Sequence, residues 1–478
     1  MVENFGGNIS FQPAHHYSPQ SEAEVLEILV RHRGQRIKAI GRLHSWSEAA
    51  RGDEVLLDLR HLNQVQTYQR AEGVWAHVGA GCQIKKLLVD LEQQAGVTTP
   101  SLGLITEQTI AGATATGTHG SGRHSLSHYL SEVRVVLYDP TTGDPVIRTI
   151  TEGPELRAAR CSLGCLGVVL SVGFWCRAPY NVEERIAQYA TLNEVLQAES
   201  EAPIQQFYLI PWAWNYLAQH RRAVDSPRSS LAWLYRIYCF LAFDIGIHLV
   251  VMFLERVLRS RRAIQLFFRR LIHWAIVRGW KVVDKSSEML IMEHELFRHI
   301  EIEVFVKRSV LYQALAFTQE LLRHFGGDTE ALSESTRQKL SPLGLMESVQ
   351  AGAGVFTYNY LVCVRKVIAD DTLISMASSD DEAYYALSFI SYARPAERAG
   401  FFQFAQCLTD CMVSLFGGRP HWGKLCPLTA QQATAIYPQL PEFRAVCQTL
   451  DPHSVFRNPW INRVLFGEAE QPTPDAPR

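Results

Sequence analysis

The stretch that decides the fold is TIAGATATGTHGSG, Thr109 to Gly122, where glycines alternate with threonine, serine and alanine around His119. Small residues let the backbone approach a ligand closely, and successive N–H groups with hydroxyls can hold a phosphate or the polar edge of a flat ring. The stretch has neither the G-K-[ST] of a Walker loop nor the G-x-G-x-x-G spacing of a Rossmann turn. It therefore predicts a cofactor site of another kind, with a flexible linker or a tight packing site as the alternatives.

A second turn upstream has the same character. AIGRLHSWSEA, Ala39 to Ala49, directly follows the strand pattern QRIKAI, and Gly41 is predicted to permit the bend from which His44 and Ser45 project. Two turns of this kind, each following a strand, indicate one ligand site shared between distant parts of the chain.

The surrounding pattern predicts an α+β chain with four parts. Short strands and helices alternate over residues 1–180, and residues 181–420 combine apolar helices, strand patterns and the long helical stretch FFQFAQCLTDCMVSLFGG. Residues 421–467 form a compact C-terminal segment. The polar, proline-rich tail 468–478 is predicted to be disordered.

Composition excludes several classes of protein. The chain has 478 residues with 46 basic and 48 acidic side chains, a net charge of -2, which argues against binding nucleic acid through overall charge. Ten cysteines without a C-x-x-C pair favour reduced thiols in the cytoplasm over a disulfide framework, and no metal site is indicated. The N-terminus shows no signal-peptide pattern.

One segment, residues 226–281, differs from the rest. It carries ten basic residues against two acidic ones, a local charge of +8, beside apolar runs such as LAWLYRIYCFLAFDIGIHLVVMFLERVL. Charges interrupt each run before the ~18 to 20 residues of a spanning helix, so a transmembrane helix is not expected. The segment is compatible with helices packed on their own domain or on a second subunit. The alternative is peripheral contact with an anionic membrane surface.

Taken together, several motifs resemble the vanillyl-alcohol oxidase superfamily, in its sugar-lactone oxidase branch. GRLHS (Gly41–Ser45) and Thr109–Gly122 resemble its flavin-binding signature, and SLGCLGVV (Ser162–Val169) resembles the strand edge beside the flavin. RPHWGK (Arg419–Lys424) resembles the branch's H-W-x-K element, and DPHSVFRN (Asp451–Asn458) its C-terminal return. The resemblance implies a two-subdomain FAD-binding domain of the p-cresol methylhydroxylase (PCMH) type, a cap domain, and FAD as the cofactor.

The resemblance also implies which residues contact FAD. His44 occupies the position of the histidine that many relatives bond covalently to the flavin, the alternative being a hydrogen-bonded turn histidine. An orienting, backbone-bonded role is expected for His119. The full expected set is Gly41, Arg42, Leu43, His44, Ser45, Thr109, Gly112, Thr116, Gly117, Thr118, His119, Gly120, Ser121, Gly167 and Val168.

Candidate catalytic groups lie further along. HIEIEVFV (His299–Val306) alternates, so Glu301 and Glu303 share one face of a strand, which would be solvated if that face were exposed. The register of the family strand selects Glu303 as the acceptor for a hydroxyl proton, whereas Phe305 stands where some relatives have arginine. Lys424 is the candidate cation near flavin or substrate, the alternative being a surface lysine, and His421 is a secondary polar group.

The resemblance implies an FAD-dependent oxidoreductase that transfers hydride from a CH–OH donor, a sugar lactone or polyol, with oxygen or another carrier reoxidising the flavin. Two alternatives remain open: an enzyme acting on a lipid or sterol-like substrate at a membrane surface, and a flavoprotein without catalytic activity.

Overall fold

A computed structural model describes residues 1–274, 276–292 and 296–468. The tail 468–478 was predicted to be disordered, and of it only residue 468 is among the described residues. The fold is a mixture of helix and sheet, which confirms the α+β prediction.

Two main sheets occupy the first 175 residues. A small parallel sheet has the spatial order His15–Tyr17, Val55–Asp58, Ile37–Ile40. An antiparallel sheet has the order Val65–Arg70, Gly73–Gly79, Val168–Trp175, Leu130–Tyr138, Pro145–Ile150. A hairpin of Val2–Glu3 and Ser10–Phe11 precedes them. The helices of this part are Glu22–Arg31, Ile84–Ala95, Ile110–Ala115 and Gly153–Arg160.

A sheet of eight antiparallel strands, here called the cap sheet, dominates the middle of the chain. Its spatial order is Lys281–Lys285, Asn181–Tyr189, Asn215–Val224, Gln206–Ile210, Val362–Val367, Tyr384–Ser391, Ile300–Lys307, Arg419–Pro420. On Ile300–Lys307, the isoleucine and valine side chains pack on helices Leu311–Phe325 and Ala399–Phe416. Because side chains alternate along a strand, Glu301 and Glu303 point to the opposite face.

Of the other helices of the middle region, three pack in the core on the isoleucine and valine face of the cap sheet, and Arg261–Leu266 and Ser286–Met289 pack in the core on its opposite face. The three are Leu192–Gln197, Glu334–Leu340 and Met346–Ala351. The helix Ala399–Phe416 was predicted from sequence, and it ends at Gly417, whose φ of +61° is the left-handed conformation that glycine adopts readily.

The charges that punctuate the apolar run do not end the helix. Ala232–Leu258 is one continuous helix of 27 residues, here called the long apolar helix, with a mean hydropathy of 2.2 over its most apolar window. By length and composition alone it could cross a membrane. Only Asp244 interrupts the run between Arg236 and Glu255, and a single charge does not break a helix. One side of the helix, including Tyr235, Ile247 and Val251, packs on the cap sheet.

The C-terminal segment packs against the N-terminal sheets. The Ile37 N–H donates to the Val455 carbonyl at 2.9 Å, and the Asn458 amide donates to the carbonyls of Glu48 at 2.7 Å and Arg51 at 2.9 Å. Its helices are Ala430–Ile436, Leu440–Leu450 and Pro459–Ile461. These contacts place residues 451–458 beside the first of the two turns.

Candidate active site

The two turns predicted to share a ligand lie against each other. A Cβ atom at Gly41 would come within 2.1 Å of Thr109 Oγ1, so only glycine permits this approach. The bend itself depends on Leu43, whose φ of +55° is left-handed, rather than on Gly41. Gly41 is therefore required for the close approach of the two turns, and not for the bend for which it was predicted.

A cavity of about 600 Å³ extends from these turns to the cap sheet. Of the fifteen residues expected to contact a cofactor, twelve line it: Gly41, Arg42, Leu43, His44, Ser45, Thr109, Gly112, Thr116, Thr118, His119, Gly167 and Val168. The other three do not line the cavity. Gly117 approaches Met376, Gly120 approaches the Leu102 carbonyl, and the Ser121 hydroxyl donates to the Gln205 carbonyl, so these residues join the turn to its surroundings.

The cavity has the polar groups that a dinucleotide requires at this end. Within the described residues, the N–H groups of Arg42 and Leu43 donate to no protein acceptor, and both residues line the cavity. Lys38 also lines it, and its ammonium donates to the Leu163 carbonyl at 2.7 Å. Free N–H groups on a cavity wall suit a phosphate, so the residues present fit the predicted cofactor.

His44 lies at the junction between the turns and the cap sheet. Its ring stacks on Phe5 with centroids 5.2 Å apart, and it lines the cavity. The imidazole is thus held in a fixed orientation on the cavity wall.

Glu303 lies in a buried cluster with two histidines. Glu303 Oε1 lies 3.4 Å from His119 Nε2. One carboxylate oxygen of Glu303 and one ring nitrogen from each of His119 and His421 all lie within 4.8 Å of one another. The His119 Nδ1 atom lies 2.9 Å from the Gly120 carbonyl oxygen, which is the backbone-bonded arrangement expected for this residue. Both glutamates on the strand are buried, so the solvated-face alternative is wrong.

Electrostatics keep the Glu303 carboxylate ionised. Burial alone would raise the pKa of Glu303, but the neighbouring His119, and with it His421 and Lys424, hold the pKa below its usual range. Burial lowers the pKa of His421 to about 3, although Glu303 opposes this shift. The Gly423 N–H donates to His421 Nδ1 at 2.9 Å, so the proton of this neutral ring is on Nε2. At neutral pH the cluster therefore contains a proton acceptor beside a neutral imidazole.

Lys424 points inward and forms an ion pair with Glu301. Its ammonium contacts the Glu301 carboxylate and lies 4.4 Å from the centre of the Trp46 ring. Glu301 also accepts from the Ser388 hydroxyl. The surface-lysine alternative is therefore wrong, because the chain turns at Trp422, which is fully buried and donates to the Ile374 carbonyl at 2.6 Å.

Comparison with known proteins agrees with this geometry. Residues 13–142 match the FAD binding domain family, and residues 244–464 match the D-arabinono-1,4-lactone oxidase family. A long-chain alcohol oxidase from an uncultured marine euryarchaeote is 52% identical over 98% of both chains. The chain belongs to the FAD-linked oxidases of the vanillyl-alcohol oxidase superfamily, in its sugar-lactone oxidase branch.

More distant relatives have the same overall organisation. The L-gulonolactone oxidase of Bos taurus is 26% identical over 97% of this chain and 98% of its own length. A cholesterol oxidase from B. sterolicum superposes with a TM-score of 0.71 over 97% of this chain and 96% of its own, at 15% identity, which shows a shared PCMH-type fold. The chain is therefore an FAD-dependent oxidoreductase that acts on CH–OH groups.

One basic residue of this oxidase site, Arg365, carries no signal in the local sequence. Phe305, which stands where some relatives have arginine, packs its ring edge-on against His119 with centroids 4.9 Å apart. A cation is present nearby on another strand: Arg365 is paired in register with Ala386, which is itself paired with Phe305. No local pattern marks Arg365, because its position depends on the pairing of strands that are about 60 residues apart in sequence.

Proposed function

We propose that this oxidase acts on a long-chain alcohol. The observation that carries the proposal is an apolar wall in the cavity. The relative at 52% identity is named for such a substrate, which supports the same assignment.

The apolar wall is built from two segments. The long apolar helix contributes Phe240, Phe243 and Ile247, and the segment after the cap strand Lys281–Lys285 contributes Met289 and Ile291. An alkyl chain gains about 25 cal/mol for each Å² of apolar surface removed from water. A wall of this composition favours a hydrocarbon chain over the hydroxyl groups of a sugar.

FAD would be held by the twelve cavity-lining residues of the predicted set, with Gly117, Gly120 and Ser121 no longer included. When bound, it supplies the hydride acceptor. The protein's own groups then have separate tasks: Glu303 accepts the proton of the substrate hydroxyl, and Lys424 provides positive charge where negative charge develops. Neutral His421 can donate a hydrogen bond from Nε2. Molecular oxygen is the proposed final acceptor, as in the relatives named oxidases.

We also propose His44 as the site of covalent flavin attachment. Its fixed place on the cavity wall supports this role. After denaturation and removal of free ligand, the wild-type polypeptide should stay yellow and fluorescent, and His44→Ala should lose all of this colour. Phe5→Leu, which removes the stacking partner but keeps the imidazole, is the control and should retain it. A colourless denatured wild type would contradict the covalent bond.

A sugar lactone or polyol is the second candidate substrate, and a specific observation favours it. Gln206, Tyr208 and Gln219 form a hydrogen-bonded row on the cavity side of the cap sheet, in which the Tyr208 hydroxyl and Gln219 Oε1 lie 3.0 Å apart. Such a row could receive several hydroxyl groups.

A chain-length series separates the two candidates. Each methylene that enters the apolar wall contributes ~0.8 kcal/mol, so kcat/KM should rise by up to about fourfold per carbon from butan-1-ol to decan-1-ol. Phe243→Asn should flatten this slope. Phe402→Asn, at an exposed phenylalanine outside the cavity, should leave it unchanged. A flat series in the wild type, with faster turnover of L-gulono-1,4-lactone, would transfer the assignment to the second candidate.

We further propose peripheral membrane contact through residues 231–277. Of the 25 exposed large apolar residues in the described chain, 14 lie in this segment, including Trp233, Leu241 and Phe253. Arg262 and Arg270, beside them, form no ion pair within the described residues. Apolar side chains beside unpaired arginines suit an anionic lipid surface. The long apolar helix also forms the cavity wall, so substrate could pass from lipid to site.

Vesicle binding tests this contact. The protein should bind phosphatidylglycerol vesicles and bind phosphatidylcholine vesicles more weakly, because the arginines attract anionic headgroups. The double variant Trp233→Ser/Leu241→Ser should bind at least tenfold more weakly. Val89→Ser/Val355→Ser, at two exposed valines elsewhere, is the matched control and should bind like the wild type. Equal binding by both double variants would count against the segment as the contact surface.

A further inference from the structure

Arg365 is a cation in the wall of the substrate cavity that forms no ion pair with any carboxylate among the described residues. It lies on the cap strand Val362–Val367, is half-buried and lines the cavity. Its Nε–H donates to Gln206 Oε1 at 3.2 Å. Within the described residues, no carboxylate lies within ion-pair distance of its guanidinium. The polar atoms that are shielded from solvent and lack a hydrogen-bond partner do not include its two terminal nitrogens. These two nitrogens are therefore open to the cavity.

Three other basic residues of the cavity wall form ion pairs. Lys424 pairs with Glu301, Arg221 pairs with Glu184, and Arg236 pairs with Glu288. A buried charge is costly unless it is paired, and a planar guanidinium binds a carboxylate through two parallel hydrogen bonds. The unmatched guanidinium of Arg365 therefore marks a place for an anion brought by the ligand.

The position of Arg365 relative to Glu303 sets the length of that ligand. The strand of Arg365 lies two strands away from the strand of Glu303, across Tyr384–Ser391. Adjacent strands are ~4.8 Å apart, so the two strands are separated by about 10 Å. No ion pair between Glu303 and Arg365 is present among the described residues, although the two charges attract each other at longer range. A molecule with its hydroxyl at Glu303 and an anion at Arg365 needs a chain of several carbons between them.

We propose that Arg365 and Gln206 form a carboxylate subsite, so that the preferred alcohols are hydroxy acids whose carboxylate lies several carbons from the reacting hydroxyl. This rests on the proposed function as an alcohol oxidase and names the substrate class within it. The Gln206 side chain holds the guanidinium in place, because its oxygen accepts from Arg365 while its nitrogen donates to the Tyr208 hydroxyl at 2.8 Å.

The test compares ω-hydroxy acids with their methyl esters and with alkan-1-ols of the same length, by the rate of flavin reduction under anaerobic conditions. In the wild type the acid should exceed its neutral ester by about tenfold or more in kcat/KM, as charge-assisted hydrogen bonds allow, with an optimum at an intermediate chain length. This comparison requires no variant. A ratio near one at every length would overturn the subsite.

Variants then assign the effect to Arg365. Arg365→Met should bring the acid-to-ester ratio close to one, and Arg365→Lys should restore part of it, each judged at equal FAD content. If kcat/KM fell equally for the acid, the ester and the alkanol, the proposal would be overturned. Arg365 would then assist the oxidation that all three substrates share and would not bind the carboxylate. If no alcohol of any class reduces the flavin, the proposed function fails. If alkanols react but the hydroxy acids show no higher kcat/KM than their methyl esters, the carboxylate subsite alone is overturned.

Discussion

Glu303→Gln should reduce the rate of flavin reduction by alcohol by about 10²- to 10⁴-fold, the usual contribution of a positioned proton acceptor. The amide cannot take up the hydroxyl proton, whereas its size and shape are almost unchanged. FAD content should stay at the wild-type level, since Glu303 lies on the cap sheet and not on the two turns. Stopped-flow absorbance of the flavin under anaerobic conditions measures the effect.

Glu184→Gln is the matched control for this variant. Glu184 is a second buried glutamate on the cavity wall, paired with Arg221 near the far edge of the cap sheet. Its loss should change the reduction rate by less than tenfold. If the two glutamine variants reduced flavin equally slowly, burial of any carboxylate in this cavity, and not proton acceptance by Glu303, would be the cause.

The pH profile gives Glu303 a second signature. Burial would raise the pKa of Glu303, and His119 holds it below the usual range, so the wild-type rate should be constant from neutral pH down to mildly acidic pH. A proton acceptor works only when ionised, so activity is lost as pH falls through its pKa. His119→Ala removes the main lowering influence, and the acid limb should therefore move to higher pH. If the acid limb of the pH–rate profile did not move in His119→Ala, His119 would not be the group that lowers the pKa of Glu303.

Lys424→Met should lower the reduction rate by about 10²- to 10³-fold with little change in FAD content, the range found when one group that stabilises developing negative charge is removed. The ammonium contacts Glu301 and lies over Trp46, so it is fixed before substrate binds. The variant should also unfold at a lower temperature, because a buried carboxylate loses its partner.

A double variant separates these two effects of Lys424. Lys424→Met/Glu301→Gln removes both charges, so no unpaired carboxylate remains and thermal stability should recover. The reduction rate should stay low if the cation itself assists the reaction. Recovery of the rate together with stability would show that Lys424 only neutralises Glu301.

Part of the site could be predicted because it is encoded locally. The glycine-rich stretch Thr109–Gly122 and the turn Gly41–Ser45 are short motifs that follow strands, and alternation along Ile300–Lys307 places both glutamates on one face. The resemblance to known flavoproteins then brought the motifs together. These are the features for which sequence spacing alone fixes which residues are neighbours.

The other contacts of the site could not be predicted, because they depend on which strands pair across the cap sheet. The Glu301–Lys424 ion pair joins residues 123 positions apart, and the Arg365–Gln206 hydrogen bond joins residues 159 apart. Their contact depends on strand register, which no local pattern specifies. The helical character of residues 232–258 was predicted, but its length was not, because Asp244 and the flanking charges divide the sequence into short apolar runs and the helix continues through them.

We propose that the two turns and the cap sheet enclose FAD beside Glu303, whose carboxylate accepts the hydroxyl proton of a long-chain alcohol. The most direct measurement is the absorbance of the protein-bound flavin after anaerobic mixing with octan-1-ol, with L-gulono-1,4-lactone in a parallel sample. The account predicts rapid bleaching by octan-1-ol, much slower bleaching by the lactone, and almost none by octan-1-ol in Glu303→Gln. A flavin that the alcohol leaves fully oxidised, or a purified protein without flavin, would contradict it.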